Sequence, residues 1–168
     1  MHRIIPDVET IVGWSDSHSF DDLYTAIQSC GCVITLPQRT VDILEGGQLA
    51  DREFIKNADV KKCDEKVFLR KEARHFEAGT SAIAAISLSS EFDTATFCVS
   101  DSQEVQEAFE TAGVDYWNTV YVGAHLMDQG TMDFEETQRV IGELRDEIDS
   151  IPPNYTALLR KETASSPV

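Results

Sequence analysis

Between Ala95 and Gln129 the chain alternates two patterns in a way that leaves few folds open. Ala95–Val99 (ATFCV) is a short run of β-formers with an apolar bias, which suits a buried strand. Ser100-Asp101-Ser102 then opens a stretch whose apolar residues Val105, Ala108, Phe109 and Ala112 recur at i, i+3, i+4 and i+7, the spacing of one helix face. Gly113 follows where a C-cap glycine would stand. Val114–Trp117 is a second short strand, and Thr119 can cap a further helix that runs to about Gln129, before Gly130. Strand, helix, strand at this spacing predicts a βαβ crossover in a parallel sheet. Functional residues of such sheets sit just past the C-terminal ends of the strands. Asp101 stands two residues beyond the first of these strands.

The N-terminal part repeats the arrangement. Arg3-Ile4-Ile5 reads as a strand cut off by Pro6, so that Asp7 also lies just beyond a strand end, followed by Val8, Glu9, Ile11 and Val12. Ser19 can cap a helix with Phe20, Leu23, Tyr24 and Ile27 on one face, ended by Gly31. Cys32–Leu36 is a second strand, and Pro37 suits the first position of a helix whose Thr40, Val41 and Leu44 face inward. Gly46-Gly47 stops it, and a helix from about Leu49 to Ala58 follows. Ser81–Ser90, small and apolar, suits a buried helix. Asp133, with Glu136 placed for a capping box, starts a long amphipathic helix that buries Phe134, Thr137, Ile141, Leu144 and Ile148. Ile151-Pro152-Pro153 breaks it; Tyr155–Leu159 reads as a docking segment and Thr163–Val168 as a loose tail. These signals predict a three-layer α/β/α sandwich with a central, mostly parallel sheet of four to five strands. One domain spans residues 1–150, and 151–168 form a C-terminal segment that is partly flexible tail.

Charge narrows the partners. The chain carries 14 Lys and Arg against 30 Asp and Glu, a net charge of −16, so its surface as a whole repels nucleic acid. Adaptation to high salt explains such acidity most simply, and mimicry of nucleic acid is the minority reading. Against this background Lys56, Lys61, Lys62, Lys66, Arg70, Lys71 and Arg74 hold half of all basic residues. Lys62, Lys66, Arg70 and Arg74 fall four apart, one stripe on a helix. That stripe reads either as a phosphate-contacting ridge or as a solvated face paired with Glu65 and Glu72. Cys30, Cys32, Cys63 and Cys98 contain no CxxC, and Cys30-Gly31-Cys32 is tighter than an ordinary zinc knuckle; buried thiols are the favoured reading. His2, His18, His75 and His125 show no ligand spacing. No apolar run approaches the length of a membrane helix, and the first residues lack a signal-peptide pattern, so a cytoplasmic protein is expected.

The order of these landmarks resembles the PIN-like domains, a family that includes small nucleases and toxins of archaea and bacteria. The residues that carry the likeness are Asp7 at a strand end, the segment from Pro37 to Glu45, and the small apolar helix entered from Gly79 to Ala85. Ser100-Asp101 at the next strand end continues it, with Gly113-Val114 running through Asn118-Thr119 to Gly123 and Gly130. It is best over Gly79–Gly130, fair over Ile4–Glu45 and absent beyond about Ser150. The resemblance implies a cluster of three or four carboxylates binding Mg²⁺ or Mn²⁺, which activates water against an RNA phosphodiester. Asp7 and Asp101 stand where the family's first and last acids stand. Ile43 occupies the register of the second, between Asp42 and Glu45. Gly79, Thr80 or Ser81 occupies that of the third, with Glu77 the nearest acid.

Two readings follow. In one the chain is a metal-dependent ribonuclease in which Asp7 and Asp101 hold the ion, Glu45 or Glu77 completes the shell, and Lys62, Lys66 and Arg70 grip RNA. In the other it is a catalytically degraded relative that binds RNA or an antitoxin-like protein partner; a homodimer is compatible with either. Asp101 can equally cap its helix, with Glu104 completing the box, and Asp7 can be a turn residue after Pro6. A receiver-like module is the weakest alternative, because no glycine-rich phosphate loop and no lysine after a late strand is present.

Overall fold

The computed structural model describes residues 2–45, 57–61 and 95–165. Among the described residues five strands make one sheet: β1 (Arg3–Pro6), β2 (Val33–Pro37), β3 (Asp59–Lys61), β4 (Thr96–Val99) and β5 (Tyr116–Trp117). Their order is β3-β2-β1-β4-β5, and every pairing is parallel. Among the described residues seven helices accompany them: α1 (Val8–Asp16), α2 (Phe20–Ser29), α3 (Gln38–Glu45), α4 (Gln103–Ala112), α5 (Thr119–Asp128), α6 (Phe134–Glu147) and α7 (Tyr155–Ser165). The fold is an α/β/α sandwich around a wholly parallel sheet, as the βαβ pattern predicts. No helix among the described residues is long and apolar enough to cross a membrane.

β1 is the central strand. Its successive residues Ile4 and Ile5 point to opposite faces, yet both are buried, so both faces of the sheet are covered. Pro6 does not cut this strand short; it is the last residue of it. The N–H groups of Arg3 and Asp7 both donate to β4-side carbonyls, those of Ala95 at 2.9 Å and Val99 at 3.0 Å. Alternate N–H groups face the same neighbour, so the donor that Pro6 lacks would have faced β2, where the pairing ends at Ile4 opposite Ile34. A proline is therefore tolerated at the heart of the sheet. Pro37 likewise ends β2 instead of starting a helix, and α3 begins one residue later. Thr40, Val41 and Leu44 of α3 are buried as expected.

Two elements depart from the expectation. α1 follows β1 directly, although the residues after Asp7 carry no obvious helical signature. The Asp7 side chain accepts from the Thr10 N–H at 2.9 Å, the N-cap bond, and Ile11 and Trp14 then bury one face. β3 falls within the basic region; Arg3 of β1 pairs with Asp59 and bonds Thr35 at 2.9 Å, tying three strands together. The remaining ends differ by a residue or so. Ser102 caps α4 and Gly113 closes it with φ of 70°. Asn118, not Thr119, caps α5, accepting from the Tyr121 N–H at 2.8 Å. Asp133 caps α6 as expected, accepting from the Glu136 N–H at 2.8 Å. Past the Pro152-Pro153 break, α7 packs on α5 and α6 through the buried Leu159, and it runs on to Ser165, beyond the expected docking segment. The helices expected over Ser81–Ser90 and most of Leu49–Ala58 lie outside the described residues, as do Gly46-Gly47 and the stripe Lys62, Lys66, Arg70 and Arg74.

α5 lies tightly on α6. A Cβ on Gly123 would stand 2.6 Å from Ile141 Cδ1 and 2.9 Å from Thr137 Cγ2, so only glycine lets the two helices approach this closely. This contact fixes the height of α5 along the sheet, and α5 supplies residues to both edges of it.

Candidate functional site

β1 and β4 are neighbours, with Pro6 opposite Val99. The residues that continue them, Asp7 and Asp101, therefore emerge at the same, C-terminal edge of the sheet. Both are nearly buried, at 5% and 8% exposure. Each is fixed by its own hydrogen bonds. Asp7 Oδ1 accepts from the Thr10 N–H, so the carboxylate sits at the N-terminus of α1, where the helix dipole favours negative charge. Asp101 does not cap α4; Ser102 does. It reaches instead to the start of α5, where Oδ1 accepts from the Thr119 N–H at 2.8 Å and Oδ2 from the Thr119 hydroxyl. The Thr119 hydroxyl in turn accepts from the Trp14 indole N–H at 3.1 Å. A closed circuit results: Asp7 caps α1, α1 carries Trp14, Trp14 bonds Thr119, and Thr119 holds Asp101.

Burial raises the Asp101 carboxyl above its usual range. The two bonds from Thr119 pull it back down, and the nearby charge of Asp7 pushes it up again. The two buried carboxylates feel each other, and they supply hard oxygen donors, the type that Mg²⁺ or Mn²⁺ takes. Among the described residues no third Asp, Glu, His or Cys comes within reach of an ion shared with them. Asp42 is exposed and accepts from the Gln38 amide at 2.8 Å, and its neighbour Ile43 is 46% exposed. Glu77, the side chain of Glu45, and Lys62, Lys66 and Arg70 lie outside the described residues. The structure thus brings together the two acids that the sequence singles out. It adds Thr119, whose role as the anchor of Asp101 had one sequence signal, its place just after a strand end.

At the opposite edge a second set of ligand-type side chains converges. The thiols of Cys30 and Cys32 and one ring nitrogen of His125 all lie within 4.8 Å of one another. Burial, followed by the neighbouring Cys30, pushes the Cys32 thiol up to about 12. Burial and then His2 lower the His125 imidazole, favouring its neutral form. Sequence spacing hides this set, because His125 comes from a segment far from Cys30 and Cys32.

Comparisons with protein-family models, with curated proteins and with solved structures find no match to this chain.

Proposed function

We propose that the chain is a divalent-metal-dependent ribonuclease of PIN type, with its centre at Asp7 and Asp101. The observation that carries this reading is the pair of buried carboxylates at the C-terminal ends of two adjacent parallel strands, where a sheet of this kind places its chemistry. The two side chains would hold Mg²⁺ or Mn²⁺, which when bound supplies an acidified water and offsets charge on the phosphoryl oxygens. The chain's own residues do the positioning. The Thr10 N–H orients Asp7, and Thr119 presents Asp101 through two donors on one residue. The N-terminal ends of α1 and α5 place positive dipole ends at the edge where an anionic substrate would approach. Glu45 or Glu77 would complete the metal shell, and Lys62, Lys66 and Arg70 would meet the RNA backbone. Incubation of the protein with RNA and Mn²⁺, beside an Asp7→Asn/Asp101→Asn double variant, tests the reading. Cleavage by the wild type alone supports it; equal cleavage by both ends it.

One observation favours the degraded alternative, a PIN-like domain that acts by binding RNA or a protein partner. Three carboxylate oxygens of the pair already accept hydrogen bonds from the chain itself, as structural caps and braces do. Titration calorimetry with Mn²⁺ separates the two. Micromolar binding that vanishes in the double variant favours the nuclease, and no heat favours the brace.

A further inference from the structure

We propose that Cys30, Cys32 and His125, with His2 beside them, form a zinc-binding site at the N-terminal edge of the sheet. The site is separate from the acids at the other edge and does not rest on the nuclease reading.

The geometry is built by the fold. Cys30 closes α2, Gly31 turns the chain with φ of +78°, and Cys32 leads into β2. Only a residue that adopts the left-handed region readily makes this turn, and it folds the two thiols onto one side, with Sγ atoms 3.2 Å apart. A spacing that looks too tight for a zinc ligand pair becomes a chelating pair through this one glycine. α5 starts at the C-terminal edge, and at 1.5 Å per residue it carries His125 about one strand length back to the N-terminal edge. His2 immediately precedes β1, and its ring centroid lies 5.1 Å from that of His125. The His2 Nδ1 is buried and has no hydrogen-bond partner among the described residues, but neither His2 nitrogen lies within 4.8 Å of all three ligand atoms, so His2 flanks the set and is not one of its ligands.

Donor chemistry selects the ion. Two thiolates and imidazole nitrogen form the soft-to-borderline set that zinc takes in structural sites, and hard cations such as Mg²⁺ do not. Tetrahedral zinc with bonds of about 2.3 Å to sulfur and about 2.0 Å to nitrogen sets its ligand atoms between about 3.5 and 3.8 Å apart. The three atoms found here lie within 4.8 Å of one another and the two Sγ atoms are 3.2 Å apart, so the set is within about 1.3 Å of the spacing that zinc requires. The surroundings suit it as well. Trp117 packs on His125 with centroids 4.9 Å apart and stacks on Phe97 at 4.2 Å, giving the ligands an apolar wall. Zinc here would pin the end of α2, the start of β2 and the far end of α5 to one another. Binding replaces two thiol protons by the ion, so two protons leave for each Zn²⁺ taken up.

The test uses the full chain without a histidine tag, kept reduced, with Zn²⁺ and Co²⁺ as the probes. The expected result is one ion per chain, a cobalt spectrum with sulfur-to-metal charge transfer and tetrahedral visible bands, and a higher Tm with Zn²⁺. Cys30→Ser, at a half-buried position that should still fold, loses the charge-transfer intensity of one thiolate. His125→Asn keeps charge transfer but shifts the visible bands. Each should lose more Zn²⁺ affinity than the roughly 10–100-fold that disturbing an outer-shell partner costs. The Asp7→Asn/Asp101→Asn variant keeps the whole signature. Reduced wild-type protein that takes up no ion overturns the proposal. So does a cobalt spectrum unchanged in Cys30→Ser and His125→Asn, or one lost in the aspartate variant.

Discussion

The two edges of the sheet are opposites in chemistry and in how they are assembled. At the C-terminal edge, Asp7 and Asp101 present hard oxygen donors, one and two residues past their strands and each fixed by a helix N-terminus. At the N-terminal edge, Cys30, Cys32, His125 and His2 present sulfur and nitrogen, gathered from a helix end, a strand start and the far end of another helix. α5 is common to both, with Thr119 at one end and His125 near the other. The contrast shows that a parallel sheet offers two different environments. One receives helix N-termini and suits negative groups; the other receives helix C-termini and suits neutral or cationic ones. A single helix can serve both while keeping two incompatible ligand sets well apart.

The largest expected effect removes one edge and leaves the other. On the proposed nuclease reading, the Asp7→Asn/Asp101→Asn variant should lose Mn²⁺-dependent RNA cleavage by about 10³-fold, the scale of several kcal/mol of metal-derived stabilisation. Far-UV circular dichroism should stay unchanged. Initial rates with and without Mn²⁺ check this, and cleavage that survives in the variant places the chemistry away from this edge.

Thr119→Val comes next. It removes the hydroxyl between Trp14 and Asp101 and leaves a buried indole N–H and a carboxylate oxygen without their partner. Each group left unpaired costs about 1–3 kcal/mol, which urea denaturation would show. The substitution also removes a bond that lowers the Asp101 carboxyl, so the carboxyl should rise further. Cobalt binding at the cysteine edge should change little; a comparable loss there would mean that the edges do not behave as separate sites.

The strand-end acids were legible because their cause is local. Ala95–Val99 and Arg3–Ile5 read as strands from their own residues, and an acid just beyond a parallel strand falls on a known edge. The parallel sheet followed from the crossover spacing alone. α1 was not legible, because its start depends on one side-chain bond from Asp7 to Thr10, and Asp7 reads equally well as a turn. β3 was missed because it has three residues and gains its place from neighbours, among them Arg3 pairing with Asp59. The cysteine–histidine cluster was illegible for a different reason. Local spacing of histidine and thiol residues cannot show contacts between distant segments, and here the strand order and the length of α5 bring residues 2, 30, 32 and 125 together.

Gly123→Ala tests whether α5 couples the edges mechanically. The added methyl meets Ile141 Cδ1 and Thr137 Cγ2 at under 3 Å, so α5 must shift or α6 must repack. Overpacking of this kind costs about 1–3 kcal/mol. Because the strain acts on α5 between Thr119 and His125, the two proposed sites should both suffer, with weaker Mn²⁺ binding at one edge and weaker Co²⁺ binding at the other in the same variant. Weakening at one edge alone would show that the helix yields locally.

The smallest effect carries the sharpest distinction. The Asp101 carboxyl is raised in the folded protein above its usual 3.8, with burial the leading cause. A raised folded value means that the folded state holds the proton more tightly than the unfolded chain. The stability it contributes is therefore complete below the unfolded value and is lost as pH rises through the folded one. Above the unfolded value the wild type therefore carries the cost of burying this acid beside Asp7. Asp101→Asn should then be slightly more stable than wild type at neutral pH without metal, and the two should converge as pH falls into the carboxylate range. Asparagine can still accept from the Thr119 N–H and can donate to its hydroxyl, so the circuit through Trp14 survives. If the edge binds a divalent ion, Mn²⁺ should erase the advantage, because only the wild type gains stability from the ligand. Thermal denaturation across pH, with and without Mn²⁺, reads all of this from one pair of proteins. A variant less stable than wild type at neutral pH without metal would mean that the bonds from Thr119 outweigh burial. Asp101 would then be a structural brace, and the catalytic reading of this edge would lose its main support.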